Sequence, residues 1–334
     1  MLMRSQALIQ TKDNFLTICR KRHGNGFQYL SIDNDLIRDK KVIKRIKGLV
    51  IPPMWENVKI SRNEQTHIQA IGRDLKGRKQ YIYHPLFMEQ RQQEKFDKMQ
   101  GFARKLPQMR KKAYEFLSRR GWRKNKVLSL IILLLDEYGI RIGNKQYLNR
   151  NNTYGLTNLR RKHLDIQDDE LILHFKGKKS IEREVTIDNE ELVEYVKKSA
   201  EQPGYELFRY TDKKRKKHTI DSEDVNEFIH KYMGEDYSSK DFRTWTACKL
   251  AIEYYPEAIE EKKHAPRKKL QNIVLDKVSQ DLGNTRSVCK TYYVHPNIAR
   301  AIESKGVESY FPIKEKELKY ALSAHEKVAL QIIE

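Results

Sequence analysis

Hydrophobic and polar positions alternate in four short segments of the first ninety residues. These segments are GFQYLSI (26–32), NVKISR (57–62), HIQAIG (67–72) and QYIYH (80–84). A period of two places successive side chains on opposite faces of a strand, so the alternation predicts half-buried antiparallel strands. The turn sequence DLKGRK (74–79) separates the last two. The pattern therefore predicts a small N-terminal domain built on an antiparallel sheet.

From about Glu89 the pattern changes to long helical periodicities with few turns. Residues 127–140 are apolar almost all round, which predicts a buried central helix. One β-hairpin is predicted where ELILHF and IEREVTI flank KGKKS (176–180). Further helices are predicted at about 223–233, 241–254, 269–282 and 297–304, with an amphipathic helix through 314–334. We therefore predict an α+β chain with two domains, residues 1–90 and 91–334, the second mainly helical.

Charge narrows the class of partner. The chain has 334 residues, 39% of them hydrophobic, and its formal net charge is +21. The electric field of such a charge attracts polyanions, so nucleic acid is the favoured partner and an anionic membrane surface the second choice. The alternative that needs no partner is a soluble protein whose surface is simply rich in lysine. The longest apolar run, Val127 to Leu135, is too short to cross a bilayer. The first residues show no secretory signal and three scattered cysteines form no CxxC, so we expect a cytoplasmic protein, at the nucleoid if the host is a bacterium.

Familiar cofactor motifs are absent from the sequence. It contains no GxGxxG, HExxH or GxSxG, and GKKS at Gly177 lacks the first glycine of a P-loop because Ile172 stands there. The acidic run 168–170 is more typical of a solvated turn than of a Mg²⁺ site. We therefore predict chemistry that uses no nucleotide cofactor and no metal.

Phosphoryl transfer without a metal requires fixed cations, a proton donor and a side-chain nucleophile. Residues of those types stand at Arg141 after the buried helix, Lys178 in the hairpin turn, Arg243 near a helix start, Asn284 after a glycine, and Tyr293. Residue type alone favours ordinary structural interpretations for most of them: a helix-end charge, a turn lysine, a helix cap.

The order and context of these segments resemble the type IB DNA topoisomerases, in particular the small bacterial and poxvirus-like enzymes. GIRIGNKQYL, YGLTNLRRKHL, LILHFKGKK, KDFRTWTA and LGNTRSVCKTYYVHP are similar to the catalytic domain of that family. HGNGFQYL, IPPMWENVKI and HIQAIGRDLKGRKQYIYHP are similar to its N-terminal domain. The resemblance covers residues from about 23 to about 305 and implies the fold shared with tyrosine recombinases.

The resemblance also implies residue roles. Tyr293 matches the nucleophile that forms a 3′-phosphotyrosyl link and frees a 5′-hydroxyl, with the adjacent Tyr292 as its rival. Arg141 and Arg243 match the arginines that hold the scissile phosphate, and Lys178 the general acid. Asn284 falls where poxvirus and eukaryotic members carry histidine and bacterial members commonly carry asparagine. The implied activity is relaxation of positive and negative supercoils by nicking, strand swivel and religation, without ATP or metal.

A two-domain clamp on double-stranded DNA, formed by a monomer, is a further implication of the resemblance. Its expected DNA contacts are Arg73, Lys76, Arg78, Lys79, Gln80, Tyr81, Tyr83, Tyr147 and Lys240. Because Tyr81 and Tyr83 alternate along one strand, both face one side, where base contact and strand packing are equal alternatives.

Two other functions fit parts of the pattern. A tyrosine recombinase shares the chemistry, but its usual HxxR reads KDFR here, with Lys240 in the histidine's place, and IPPMWENV is foreign to recombinases. Strand exchange between paired sites would identify one. A non-catalytic basic DNA-binding protein is the second alternative, against which the complete set Arg141, Lys178, Arg243 and Tyr293 argues.

Overall fold

The computed structural model describes residues 8–11, 15–167, 170–313 and 318–334. The chain divides into two compact units, residues 1–96 and residues 97–334. No helix within the described residues is long and apolar enough to cross a membrane.

The first unit is built on a five-stranded antiparallel sheet. Its strands are β1 (Ile18–His23), β2 (Gly26–Leu30), β3 (Glu56–Ile60), β4 (Ile68–Arg73) and β5 (Lys79–Tyr83), in the order β2-β1-β3-β4-β5. The four predicted strand segments correspond to β2 to β5. The sequence pattern misses β1 because half of ICRKRH is arginine or lysine, which hides the alternation. It also misses helix α1 (Lys40–Gly48), whose Ile46 is buried with residues of the sheet.

Helices dominate the second unit, and α2 (Pro85–Asp97) ends at its start. The later helices are α3 (Met99–Leu117), α4 (Lys124–Tyr138), α5 (Lys145–Asn151), α6 (Glu190–Ala200), α7 (Ser222–Met233), α8 (Ser239–Glu253), α9 (Tyr255–His264), α10 (Leu270–Leu282), α11 (Arg286–Tyr292), α12 (Pro296–Glu303) and α13 (Ala324–Ile333). The α+β prediction is confirmed, with a mainly helical second part.

The central helix of this unit is α4. Its residues Val127 to Asp136 are all buried, as the uninterrupted apolar run predicts. The helix ends at Tyr138 rather than Ile140, because Gly139 adopts a left-handed conformation with φ of 56°. That early stop directs the following residues, which include Arg141, away from the helix axis.

A three-stranded antiparallel sheet interrupts the helices. It contains β6 (Leu164–Gln167), β7 (Glu170–Lys176) and β8 (Glu182–Ile187), in sequence order. The predicted hairpin is β7–β8, with Lys178 in its connecting turn. A second, two-stranded hairpin is formed by β9 (Arg209–Thr211) and β10 (Lys217–Thr219). Of the acidic run, Asp168 and Asp169 lie outside the described residues.

The predicted C-terminal helix is too long. Residues 318–323 are not helical, and α13 begins only at Ala324. The reason is a capping box: the Ser323 hydroxyl accepts from the Glu326 N–H, and the Glu326 carboxylate accepts from the Ser323 N–H. Residues 314–317 lie outside the described residues.

Candidate active site

Arg243 is the most deeply buried basic residue of the site, with 5% of its surface exposed. It lies in the second turn of α8, which begins after the capping residue Ser238. Its guanidinium donates to the Gly139 carbonyl at the end of α4, and to the Leu282 carbonyl at the end of α10 over 2.8 Å. Helix C-terminal carbonyls lack intrahelical partners and carry partial negative charge. The two helix ends therefore fix the position of this arginine.

Arg141 is fixed first through its backbone. Its carbonyl accepts from the Leu156 N–H over 2.9 Å. Gly155 permits that close approach, because a Cβ there would stand 2.5 Å from the same carbonyl oxygen. The side chain then reaches the turn after α10, where it lies 3.4 Å from the Gly283 carbonyl and donates to Oδ1 of Asn284.

A third arginine, Arg183 on β8, joins this group, and sequence reasoning did not identify it. Its guanidinium donates to the carbonyls of Gln280, over 2.8 Å, and Asp281, in the last turn of α10. Its side chain also covers Gly283, where a Cβ would lie 2.5 Å from Cδ of Arg183. Arg183 thus ties the strand after the Lys178 turn to the helix end that precedes Asn284.

Tyr293 closes the site from the other side. It follows α11, its N–H donates to the Cys289 carbonyl over 3.0 Å, and its ring is half-buried. The guanidinium carbon of Arg243 lies 5.3 Å from the ring centroid. The phenolic hydroxyl lies close enough to the guanidiniums of Arg141 and Arg243 to interact with both. Its neighbour Tyr292 is 41% exposed.

Asn284 presents its amide to the same space. Its backbone N–H donates to the Ser279 carbonyl over 2.9 Å, and Oδ1 accepts from Arg141. The Nδ2 atom is buried and makes no hydrogen bond of ordinary geometry within the described residues, although the Cys289 thiol lies close enough to interact with it. The Nδ2 amide of Asn284 can therefore donate a hydrogen bond to a further acceptor.

The electrostatics of the group are those of an anion site. Burial lowers the pKa of Arg243 to about 10, and the Arg141 charge acts in the same direction. Burial also lowers the pKa of Arg141, with the Tyr293 hydroxyl opposing the shift. Within the described residues no carboxylate forms an ion pair with Arg141, Arg183 or Arg243. All three guanidiniums remain charged at neutral pH, and only that of Arg183 is partly offset, by the nearby Asp281 carboxylate, so the site holds an excess of positive charge that suits a bound anion.

Lys178 makes no described contact with this group. It is exposed in the β7–β8 turn, and its side chain makes no hydrogen bond or ion pair in the described part of the chain. Lys240 is likewise exposed, in the first turn of α8. Tyr147 lies in α5, but its side chain falls outside the described part. Among the described residues, no group of three or more His, Cys, Asp or Glu side chains is placed to hold a metal ion.

The predicted contacts of the first unit lie on the β4–β5 hairpin and split into two groups. Asp74 organises the turn: it accepts from Nε of Arg78 over 2.7 Å and from Nε2 of Gln80 over 2.9 Å. The hydrogen bond from Arg78 is the main reason that the pKa of Asp74 falls to about 2. The Lys76 N–H donates to the same carboxylate, and Arg73 donates to the Gly77 carbonyl over 2.8 Å. These residues stabilise the turn.

The second group faces solvent on β5. Tyr81 and Tyr83 are 40% and 36% exposed and stack with their ring centroids 5.8 Å apart. Nζ of Lys79 lies 5.3 Å from the Tyr81 ring centroid. A depression of about 310 Å³ is lined in part by Lys79, Arg73 and Lys59. The alternation on β5 therefore produces an exposed aromatic and basic surface on the first unit.

Two protein-family models match adjacent parts of the chain. Residues 75–318 match the eukaryotic DNA topoisomerase I catalytic core, and residues 26–74 match the bacterial DNA topoisomerase IB N-terminal domain. DNA topoisomerase 1B of Acanthamoeba polyphaga mimivirus is 33% identical over 284 residues, which are 83% of this chain and 84% of the relative. DNA topoisomerase 1B of vaccinia virus (strain Copenhagen) is 23% identical over 245 residues, 72% and 74% of the two chains.

One solved structure, the XerH site-specific recombinase bound to its difH substrate, overlaps with a TM-score of 0.30 at 13% identity, over 55% of this chain and 51% of its own. That overlap is too small to bear on function. The catalytic-core match spans well over half of the chain, and the mimivirus relative covers most of it. The chain belongs to the type IB DNA topoisomerase family.

Proposed function

We propose that this enzyme relaxes supercoiled DNA by transesterification at Tyr293. The observation that supports the proposal most directly is the closeness of the Tyr293 hydroxyl to the half-buried Arg141 and the buried Arg243, neither of which forms an ion pair with a described carboxylate. A nucleophile placed between uncompensated cations suits attack on a phosphodiester, where negative charge must be stabilised as it redistributes.

The reaction conserves the number of phosphodiester bonds. The Tyr293 oxygen bonds to the scissile phosphorus and loses its proton to water, while the bond from phosphorus to the 5′-oxygen breaks. Arg141 and Arg243 bind the non-bridging oxygens, and Nδ2 of Asn284 donates one more hydrogen bond. The 5′-end rotates under superhelical strain, and attack by its hydroxyl on the phosphotyrosine restores the strand. No hydrolysis step intervenes, so no nucleotide is consumed.

Lys178 protonates the departing 5′-oxygen in this scheme. Its exposed side chain has no described hydrogen bond or ion pair to break, so DNA binding can draw it toward the arginines. Arg183, which follows the Lys178 turn at the start of β8, anchors the same hairpin to the last turn of α10. We infer that Arg183 positions both the hairpin and the Gly283–Asn284 turn.

DNA binding uses both units in this proposal. In the first unit, Lys79, Tyr81 and Tyr83 present the exposed aromatic and basic surface, and Arg73, Lys76, Arg78 and Gln80 shape the turn beside it. In the second, Lys240 and Tyr147 contact phosphates. The enzyme acts on double-stranded DNA as a monomer, in the cytoplasm and at the nucleoid if the host is a bacterium. Light scattering with and without a duplex tests the monomer.

The central test is plasmid relaxation by purified enzyme in EDTA without ATP. Relaxation of both positively and negatively supercoiled plasmid is expected, and a requirement for Mg²⁺ or ATP would contradict the proposal. Tyr293→Phe removes the attacking oxygen, so it should bind DNA and fail to relax it. Tyr292→Phe is the matched control and should keep full activity.

The identity of the nucleophile has its own test. Mass spectrometry of the adduct trapped by denaturing a reaction should find DNA on the peptide that contains Tyr293, joined through a 3′-phosphate. A DNA-bearing peptide from elsewhere, or a 5′-phosphate link, would overturn the assignment.

A further inference from the structure

The longest run of basic residues in the chain lies outside the site described above. Residues 213–217 read KKRKK and connect β9 to β10. All five are exposed, and their side chains form no ion pair or hydrogen bond within the described residues. Five positive charges close together give the turn a strongly positive electrostatic potential, against which the hairpin turn has a single acidic residue, Asp212.

The turn is nevertheless built to a fixed shape. The Asp212 carboxylate accepts from the Lys216 N–H over 2.8 Å and lies 2.9 Å from Nε2 of His218. The Asp212 N–H donates to the Lys216 carbonyl over 2.9 Å, and Arg215 adopts a left-handed φ of 61° that closes the turn. The single acidic residue of the hairpin turn is therefore used to hold the turn and leaves the lysine ammonium groups free.

The hairpin is also attached to the body of the second unit. The Thr211 N–H donates to the Trp122 carbonyl over 2.9 Å, and Arg123 donates to the carbonyls of Thr211, over 3.1 Å, and Asp212. The segment that receives it, between α3 and α4, adds two exposed arginines, Arg119 and Arg120. Together these residues form a cationic surface at the N-terminal end of α4.

The length of α4 gives the separation between this surface and the arginine site, because one end of the helix lies at each of them. Arg123 is the N-terminal capping residue of that helix, and Gly139, which accepts from Arg243, ends it. A helix of 15 residues is about 22 Å long. At 3.4 Å per base pair this distance corresponds to roughly six base pairs of duplex.

We propose that the β9–β10 turn, residues 213–217, binds the phosphate backbone of the duplex held at Tyr293, about six base pairs from the scissile phosphate. This inference rests on the proposed function, since it needs a duplex at the arginine site. A turn of fixed shape with free ammonium groups suits contacts with phosphates, which carry charge but no sequence information. The contact adds affinity and salt dependence and takes no part in the chemistry.

The test compares two triple variants that each lower the net charge by three. The first is Lys213→Gln, Lys214→Gln, Lys217→Gln. The control is Lys262→Gln, Lys263→Gln, Lys268→Gln, in which the half-buried Lys262 and the exposed Lys263 and Lys268 already contact the Pro266 carbonyl, Glu260 and Glu261. Binding to mixed-sequence duplexes of 24 and 8 base pairs is measured by fluorescence anisotropy across a salt series.

The hairpin variant should bind the 24-base-pair duplex at least tenfold more weakly than wild type near 0.1 M salt. Its plot of log K against log salt should be shallower by about 2 to 3, since each phosphate contact contributes about 0.9. The 8-base-pair duplex reaches only about 14 Å to either side of its centre, so its binding should not change. The control variant should match wild type on both duplexes within about twofold.

Equal behaviour of the two variants would overturn the inference, and so would equal loss on both duplex lengths. A defect confined to supercoiled plasmid would overturn it too, because it would indicate a second DNA segment rather than the flank. The covalent adduct formed at saturating DNA should be unchanged in the hairpin variant. Failure of the wild type to form that adduct would instead refute the proposed function, so the two failures are distinguishable.

Discussion

Two arginines of the second unit, Arg110 and Arg243, are both largely removed from solvent but have opposite electrostatic surroundings. Arg110, on α3, donates from Nε to Asp136 over 2.6 Å and from Nη2 to Glu326 over 2.7 Å. Arg243 is at least as buried, yet its guanidinium meets backbone carbonyls and the Tyr293 hydroxyl. Burial alone would lower the pKa of either arginine. The two carboxylates reverse that effect and raise the pKa of Arg110, whereas burial lowers that of Arg243.

The difference agrees with a structural role for Arg110 and with the role in phosphate binding that we propose for Arg243. The Arg110 network is closed, and Trp245 also donates to Glu326 over 2.7 Å, so it joins α3, α4, α8 and α13. The Arg141, Arg183 and Arg243 group is open, because helix-end dipoles hold it without neutralising it. Burial alone therefore does not distinguish the two arginines; the absence of a carboxylate partner does, and it is the feature on which the proposed phosphate site rests.

The largest effect is expected from breaking the closed network. Arg110→Met leaves Asp136 and Glu326 buried without their partner, which should lower the free energy of unfolding by about 3–5 kcal/mol. Urea denaturation measures the loss. Arg104→Met is the control, because its ion pair with Glu334 is exposed and should contribute at most about 1 kcal/mol. Equal stability of the two variants would show that the buried network is not structural.

A substitution in the Arg141, Arg183 and Arg243 group should instead reduce activity strongly and stability only slightly. Arg243→Gln should slow plasmid relaxation about 10²- to 10³-fold, the cost of losing one donor to a developing charge, about 2.7–4 kcal/mol in the barrier. Its stability loss should stay under about 2 kcal/mol, because relief of a buried charge offsets the lost hydrogen bonds. A variant that unfolds as readily as Arg110→Met, or that relaxes plasmid at the normal rate, would remove the distinction between the two regions.

Sequence reasoning accounts for much of the fold where periodicity is strong. The β7–β8 hairpin and helices α7, α8, α10 and α12 lie within about two residues of their predicted bounds. Helix α9 is not predicted because Pro256, three residues after the end of α8, resembles a stop signal, whereas it occupies the first turn of a new helix. The seven residues of α11 are too few for a periodic pattern.

The residues of the site also differ in whether the local sequence identifies them. Arg141, Asn284, Arg243 and Tyr293 sit in local segments that resemble a family, so they were named, and the structure brings these four together. Arg183 carries no local signal: its partners Gln280 and Asp281 are about a hundred residues away, and only tertiary folding brings them together. The same holds for Arg110 and Glu326. Sequence could supply the residue types, but not which charges are neutralised.

Arg183 allows a smaller and sharper test of the open group. Arg183→Met should reduce the relaxation rate at saturating DNA about tenfold, because misplacement of a site by a fraction of an ångström is costly. DNA affinity should change less than twofold, which a loss of bulk structure would not allow. Arg183→Lys keeps the charge without the two-carbonyl fork and should give an intermediate rate. A large fall in affinity with an unchanged rate would make Arg183 a DNA ligand rather than a positioning residue.

The smallest effect concerns the contact between Arg183 and Gly283. Gly283→Ala should lower the free energy of unfolding by about 1–2 kcal/mol for the left-handed backbone at φ of 56°, and by a further amount because its Cβ would meet Arg183. In an Arg183→Ala background that second part should vanish, leaving a coupling energy of about 0.5–1 kcal/mol between the two sites. Gly121→Ala is the control, since its φ is 77° and the nearest atom to a Cβ there is 4.0 Å away; it should show the backbone cost alone and no coupling. Coupling at Gly121, or additivity at Gly283, would mean that Arg183 does not hold the turn that presents Asn284.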